Sequence, residues 1–295
     1  MGKRFQKLNG RLREHIMSFG FLGPSLLGVG LFFIVPFGIV VYYSLIQSNL
    51  NPEFAGLQNF INLFENSSFR TAAKNTLMFS AMAVPLAVVL SLLLALMLEC
   101  RIPAKSQFRT FFLSPMMVPV ASVVLIWQVV FHYNGTLNVF LSVFGVDKID
   151  WLKSDYCLIV ILVLFLWKNL GYNMILFMAN LNNIPKELLE VADVEGASAA
   201  YKFFAIKLRY LSPTVLFVTI LSLINSFKVF REVYLLTGDY PFEGLYMLQH
   251  FMNNTFKSLD YQKLSAAAVI MAIAMVILIA ILFLAEDRFG RDVEG

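Results

Sequence analysis

The chain has 295 residues, 59% of them hydrophobic and only 14% charged, and its mean hydropathy is +0.72. A soluble domain carries about a quarter charged residues, and here the apolar residues come in long runs rather than periodic stripes, which excludes an ordinary soluble enzyme and predicts an all-α membrane protein. The net charge of +4 would suit nucleic acid, but the charges are distributed as a membrane topology distributes them, and no nucleic-acid partner is expected.

Lys3, Arg4, Lys7, Arg11 and Arg13 make a basic tail over residues 1–19. The apolar run that follows, Gly20–Ile46, is too long for a cleavable signal and has no small-x-small site after it, so a retained first helix is expected. Further runs at Thr76–Leu98, Phe111–Phe131, Leu158–Leu181, Leu211–Leu236 and Ala266–Leu284 are each long enough to cross a hydrocarbon core of ~30 Å, which takes about 20 helical residues. The expectation is one six-helix transmembrane domain over 20–285, with short tails at 1–19 and 286–295. Val139–Val146 is apolar but too short to span, and reads as an interfacial helix or a packed external loop.

Proline punctuates the spans at Pro24, Pro36, Pro85, Pro115 and Pro119. Two readings stand: kinked helices around a pathway, or ordinary proline use in membrane helices. Ala81, Ala83, Ala87 and Ser91 suit close helix packing in the second span.

With the N-terminus inside, the inner segments hold the basic tail, Arg101, Lys105, Arg109, Lys186, Lys202, Lys207, Arg209, Arg288 and Arg291. The outer loops hold Arg70, Lys74, Lys148, Lys153, Lys257 and Lys263. The inner excess obeys the positive-inside rule and puts both termini in the cytoplasm. Cys100 and Cys157 fall near opposite faces and cannot pair, and His15, His132 and His250 are scattered, so no metal site is expected. The sequons at Asn66, Asn134 and Asn253 read as chance. The sequence contains no Gly-x4-Gly-Lys-Ser/Thr, no His-Glu-x-x-His and no Gly-rich dinucleotide turn. Energy must come from a partner or an ion gradient, and no catalytic residue is assigned.

The loop between spans four and five is the polar exception. Pro185 suits a first helical turn with Asn183 ahead as a cap. Glu187, Glu190 and Asp193 recur every third residue as an acidic stripe, while Leu188, Val191 and Ala192 fall on another face. Gly196 can supply a turn, and Ser198 can cap a second short helix, Ala199–Lys207. Such a loop could rest on lipid headgroups. An acidic stripe, however, suits a basic groove on a protein partner better than an anionic lipid surface.

Glu190-Val191-Ala192, Gly196 and Ile206-x-Leu208, with Pro213 opening the next span, resemble the EAA loop of ABC-importer permeases. Ile184-Pro-Lys-Glu-Leu188 and Leu235-Leu-Thr-Gly238…Pro241 look like the carbohydrate branch of that family. The resemblance runs from about residue 20 to 290. Val191 replaces the usual Ala, Glu195 the usual Asp and Arg209 the usual Pro, the last leaving the start of span five less sharply bent than the family pattern implies.

The resemblance implies a type I importer transmembrane domain in a bacterial cytoplasmic membrane, with a coupling loop at 184–209. Glu187, Glu190, Ala192, Asp193 and Gly196 would dock it in the cleft of a cytoplasmic ATPase. It also implies a heterodimer with a second permease subunit, an ATPase dimer, an extracytoplasmic solute-binding protein, surrounding membrane lipid and a sugar or polyol substrate. This chain would bind no cofactor; ATP and Mg would sit on the partner ATPase.

Polar residues within spans are functional candidates by default. Aromatic faces beside amides and hydroxyls suit a sugar, which makes Trp167, Asn169, Tyr172, Asn173, Ser222 and Ser226 the expected substrate pathway. Lys168 could snorkel or pair locally, and Lys228 and Arg231 could face either the pathway or a carboxylate of the partner permease. The rival functions are an ion-coupled secondary transporter, a scaffolding membrane protein, and an importer of a non-sugar solute such as a glycerol phosphate.

Overall fold

The computed structural model describes residues 20–48, 52–99 and 103–290. The basic residues before Gly20, and Cys100, Arg101 and Arg291, lie outside the described residues. The described chain is helical, and its only β-type pairing is an isolated antiparallel bridge between Ile46 and Phe54. Among the described residues, six helical segments are long and apolar enough to cross a membrane: Gly20–Ser44, Ser67–Glu99, Val120–Ser142, Cys157–Leu181, Ser212–Thr237 and Tyr261–Arg288. All of the expected spans are present in order, but the third is not one helix over Phe111–Phe131. It breaks between Met117 and Val120, where Val118 (φ −82°, ψ 128°) is extended. The cause is Pro119, which disfavours the α conformation at the residue before it and itself becomes the cap of the next helix.

The described residues fall into two compact units, one within 20–65 and 255–272, the other within 66–254 and 273–290. In the first, α1 (Gly20–Ser44) exposes apolar side chains all round, as a helix in contact with hydrocarbon does. Its turns widen into a π-helical segment, Gly30–Ile34, just before Pro36. Pro36 has no N–H to donate and its ring crowds the carbonyl four residues back, and the wider turn accommodates both. Beyond it, α2 (Gln58–Glu65) is fixed by Asn59, whose Nδ2 donates to the carbonyls of Ser44 (3.0 Å) and Ile46 (2.9 Å).

In the second unit α3 (Ser67–Glu99) is the central helix and packs on α7 (Cys157–Leu181) and α10 (Ser212–Lys228). Its buried face is small and polar: Thr76, Ser80, Ala83, Ala87, Ser91 and Ala95 recur at three or four residues, which lets the backbones approach closely. Ala81, expected on that face, is exposed. Buried polar groups on it are satisfied. The Thr76 and Ser91 hydroxyls donate to carbonyls one turn back, and the Ser80 hydroxyl meets that of Ser226 at 2.8 Å.

Next come α4 (Lys105–Met117), α5 (Val120–Phe131) and, after a turn at residues 132–135, the short α6 (Thr136–Ser142), which continues the third candidate span and overlaps the start of the apolar segment Val139–Val146. The connection after it turns on Asn138, which is fully buried. Its Nδ2 donates to the carbonyls of Tyr133 (2.9 Å) and Ile149 (2.7 Å), while its Oδ1 accepts from Ile149 N and Trp151 Nε1. One amide thereby ties down the whole connection.

The loop after α7 carries α8 (Lys186–Val194) and α9, which opens at Ala199–Tyr201, widens into a π-helical stretch at Lys202–Lys207 and closes at Leu208–Tyr210. The fifth span is likewise two helices, α10 and α11 (Phe230–Thr237), meeting at Val229. After α11, the connection to α12 (Leu248–Lys257) is pinned to α3 by Asn75, whose Nδ2 donates to Glu243 O (2.7 Å) and Tyr246 O (3.1 Å). The last span is α13 (Tyr261–Gly290).

Candidate functional site: a charged cavity between two spans and the loop that joins them

Two features stand out in the second unit, and the same pair of helices builds both. The first is a cavity of about 450 Å³ walled by α7, α10, Val229 and the first turn of α11, with Met116 of α4 at one edge. The second is the α8–α9 loop, which connects α7 directly to α10.

The cavity wall combines apolar residues with charge. Leu164, Phe165, Leu221 and Val229 supply the first; Lys168, Lys228, Arg231 and Glu232 supply the second. Lys168 and Glu232, 64 positions apart in sequence, form an ion pair whose side chains are only 21% and 10% exposed. Pairing and hydrogen bonding are what make such charges tolerable inside an apolar span. Beside this pair Asn225 Nδ2 donates to Asn169 Oδ1 at 2.9 Å, and Asn169 Nδ2 donates to Phe165 O at 2.8 Å.

The expected pathway residues separate into three groups. Asn169 and Tyr172 line the cavity. Asn173, Ser222 and Ser226 are almost fully buried in the helix interfaces, Asn173 Nδ2 donating to Ser222 Oγ at 2.9 Å and Ser226 meeting Ser80. Trp167 is half-buried and stacks on Trp127 of α5, ring centroids 5.2 Å apart, away from the cavity lining. Asn225 and Glu232 complete the lining without having been expected there. Their signal was visible, since each is a polar group inside an apolar run, but the partner that reveals each one's position lies on another helix.

The loop is rooted at both ends in one apolar cluster. Leu181 and Ile184 before it and Leu211 after it are buried with Ala95 and Leu98 of α3. Between those roots α8 has Pro185 as its cap residue with no side-chain cap bond, so the cap expected from Asn183 is not formed. Asn183 instead donates its N–H to Asn180 O, continuing the end of α7 as a turn.

The other end of α8 is a Schellman turn: Ala197 N donates to Ala192 O (2.8 Å) and Gly196 N to Asp193 O (3.1 Å). Gly196 sits at φ +77°, the left-handed conformation that side chains with a Cβ resist. Ser198 then caps α9, its Oγ accepting from Tyr201 N at 3.2 Å, as expected.

The stripes fall differently from the expectation. Leu188 (40% exposed) and Val191 (56%) face outward beside Glu187 and Glu190, with Val194 still more exposed, and the buried contact is made by Ala192. A neighbour covers only the Ala192 side of this nine-residue helix, so the apolar residues off that side stay exposed. Asp193 is bound within the loop by an ion pair to Lys202, and Lys207 pairs with Glu99 at the end of α3 (2.7 Å). What the loop presents outward is a mixed apolar and acidic surface centred on Glu187, Glu190, Leu188 and Val191.

A family described as "Binding-protein-dependent transport system inner membrane component" matches residues 68–295. The chain is 29% identical over 287 residues to the trehalose/maltose transport system permease protein MalF of Thermococcus litoralis, covering 96% of this chain and 97% of that one. It is 27% identical over 290 residues to the sn-glycerol-3-phosphate transport system permease protein UgpA of Escherichia coli O6:K15:H31, covering 96% of each. Among solved structures it superposes on a chain of a bacterial ABC transporter involved in the import of the acidic polysaccharide alginate, with a TM-score of 0.81 at 20% identity, covering 96% of this chain and 99% of that one.

Proposed function

The chain belongs to the family of inner-membrane components of binding-protein-dependent transport systems, and from that premise we propose that it is one of two permease subunits of an ATP-driven importer of a sugar or polyol. One observation carries the reading. The helices that wall the cavity, α7 and α10, are the two helices that the exposed α8–α9 loop joins. A push on the loop is therefore a push on both cavity walls.

The chain is a multi-pass protein of the inner membrane and a membrane subunit of a transport system. In the proposal, both termini and the loop lie on the cytoplasmic side, where a partner ATPase binds and hydrolyses ATP with Mg. Glu190 and Glu187 meet basic residues of the ATPase cleft, with Leu188 and Val191 packed beside them. Ala192 and Asp193 hold α8 to the rest of the loop, and Gly196 sets the turn into α9. Closure of the ATPase dimer then carries α7 and α10 with the loop, because its ends are buried among their residues. An extracytoplasmic binding protein delivers solute from the opposite face. Two of the related proteins are named for trehalose/maltose and for sn-glycerol-3-phosphate, which supports a small hydroxylated solute.

The test is uptake into proteoliposomes holding the assembled transporter. ATP together with the binding protein is expected to drive it. Glu190→Ala or Gly196→Asp is expected to leave the chain in the membrane, abolish uptake and reduce co-purification of the ATPase. Uptake that survives both changes, or that runs on a Na⁺ or H⁺ gradient alone, would sink the reading and favour a secondary transporter.

A further inference from the structure

The cavity holds more positive charge than it neutralises. Lys168 is matched by Glu232, but Lys228 and Arg231, three residues apart on either side of the Val229 break, meet no acidic side chain among the described residues. Counting Lys168, Lys228 and Arg231 against Glu232, the wall carries two uncompensated positive charges. We infer that this cavity takes an oxyanion, so that the solute is a sugar or polyol bearing a carboxylate or phosphate rather than a neutral sugar; this rests on the permease reading above.

A neutral sugar is recognised through ring faces and hydroxyls, and amides and a phenol satisfy it. Tyr172 and Asn225 already provide those groups. Two unpaired cations facing one cavity repel each other, and a neutral solute does not offset that repulsion. An oxyanion offsets it, because charge-assisted hydrogen bonds are the strongest available here and a guanidinium fork matches carboxylate and phosphate geometry.

The placement also fits. Val229 is buried and interrupts the helix, so Lys228 ends one helix and Arg231 lies in the first turn of the next, both exposed and both on the cavity wall. The amide of Asn225 is fixed by its bond to Asn169, leaving its own carbonyl for a solute hydroxyl. The volume of about 450 Å³ lies within the usual range for small-molecule sites, roughly 300–1,000 Å³. Glu232 plays a separate part: by holding Lys168 it keeps the wall from becoming more positive still.

The experiment uses the assembled transporter with its binding protein in nanodiscs of pure phosphatidylcholine, and reads solute-stimulated ATP hydrolysis. The probes are matched pairs: glucose with glucuronate and glucose 6-phosphate, maltose with digalacturonate, glycerol with glycerol 3-phosphate. At least one acidic probe is expected to stimulate, and its neutral counterpart not. Lys228→Gln and Arg231→Gln are each expected to raise the half-saturating concentration of that probe by roughly 10-fold or more, and Lys228→Arg to restore it.

Stimulation by a neutral sugar with the two Gln variants unchanged overturns the proposal, and so does stimulation by none of the probes. If the Gln variants instead lose the second permease on purification, the cations pair with that subunit and the proposal falls. If the response needs added phosphatidylglycerol, they serve a lipid headgroup and it falls likewise. Failure of the permease reading looks different: no ATPase co-purifies, and ATP drives no uptake of any solute.

Discussion

His250 shows how much a single side chain can commit in the connection between the last two spans. It is fully buried, its Nδ1 accepts from Met247 N at 3.3 Å, and its ring meets Phe230 edge-on with centroids 4.7 Å apart. Burial lowers its pKa from 6.5 to about 4, against a smaller upward pull from Asp239. The folded protein therefore keeps it neutral while the unfolded chain binds a proton between those two values. This contribution to stability is complete above pH ~6.5 and is lost progressively as pH falls towards 4, by on the order of 3 kcal/mol in all. His250→Asn, which keeps an acceptor near Nδ1 but does not titrate in this range, is expected to flatten the fall in thermal stability between pH 6.5 and 4. A midpoint that drops equally in both proteins would show that another group carries the acid sensitivity. The sequence marks His250 only as one scattered histidine. Its burial depends on Phe230 and Tyr246, which no local pattern links to it.

At the level of elements, local signals proved readable where the structure is local. Six apolar runs became six spans, Gly196 became a left-handed turn, and Ser198 became a cap, because length, a missing Cβ and a hydroxyl act within a few residues. The break at Pro119 was marked by the proline itself, which acts on Val118 next to it, though the sequence left open whether it kinks the span or is ordinary proline use. The inward face of α8 was not readable in that way, because it needs to know that α9 covers only one side. The candidate cavity was half-readable: charged residues inside spans were conspicuous, but Lys168 and Glu232 meet only once α7 and α11 have packed.

Gly171 is the clearest element-scale case of something sequence does not show. A Cβ there would lie 1.9 Å from Phe112 O and 2.4 Å from Phe112 C, both backbone atoms, so α7 and α4 touch through that glycine. Gly171→Ala must push the helices apart, and overpacking of this kind costs about 1–3 kcal/mol or more. A thermal midpoint in detergent several degrees lower is expected, whereas Gly23→Ala, a helical position where the added Cβ meets nothing within 4 Å, is expected to hold the midpoint or raise it slightly. Equal midpoints for the two variants would mean that the α4–α7 contact can give without cost.

For the whole molecule the question is which helices move together. Within the second unit α3, α7 and α10 share polar links: the buried pairs Ser80 to Ser226 between α3 and α10 and Asn173 to Ser222 between α7 and α10, and the half-buried pair Asn169 to Asn225 between α7 and α10. Each of the two buried links would leave polar groups unpaired if the helices separated, at a cost of about 1–3 kcal/mol per group. The ion pair between Lys168 and Glu232 adds a charged link from α7 to α11. The cheapest conformational change therefore keeps these helices as one body and moves it against something else, with the loop ends rooted in the same body.

That makes a covalent lock informative. The Ser80 and Ser226 hydroxyls meet at 2.8 Å across the contact between α3 and α10, which makes the two positions a natural pair for a cysteine cross-link. The double variant Ser80→Cys/Ser226→Cys, once oxidised, is expected to transport within about twofold of its reduced form, because RT ln 2 is small against the links already present. If oxidation instead stops uptake and reduction restores it more than about tenfold, α3 and α10 separate during the cycle. The buried serines would then be a hinge rather than a fastening, and the cavity walls would move independently of one another.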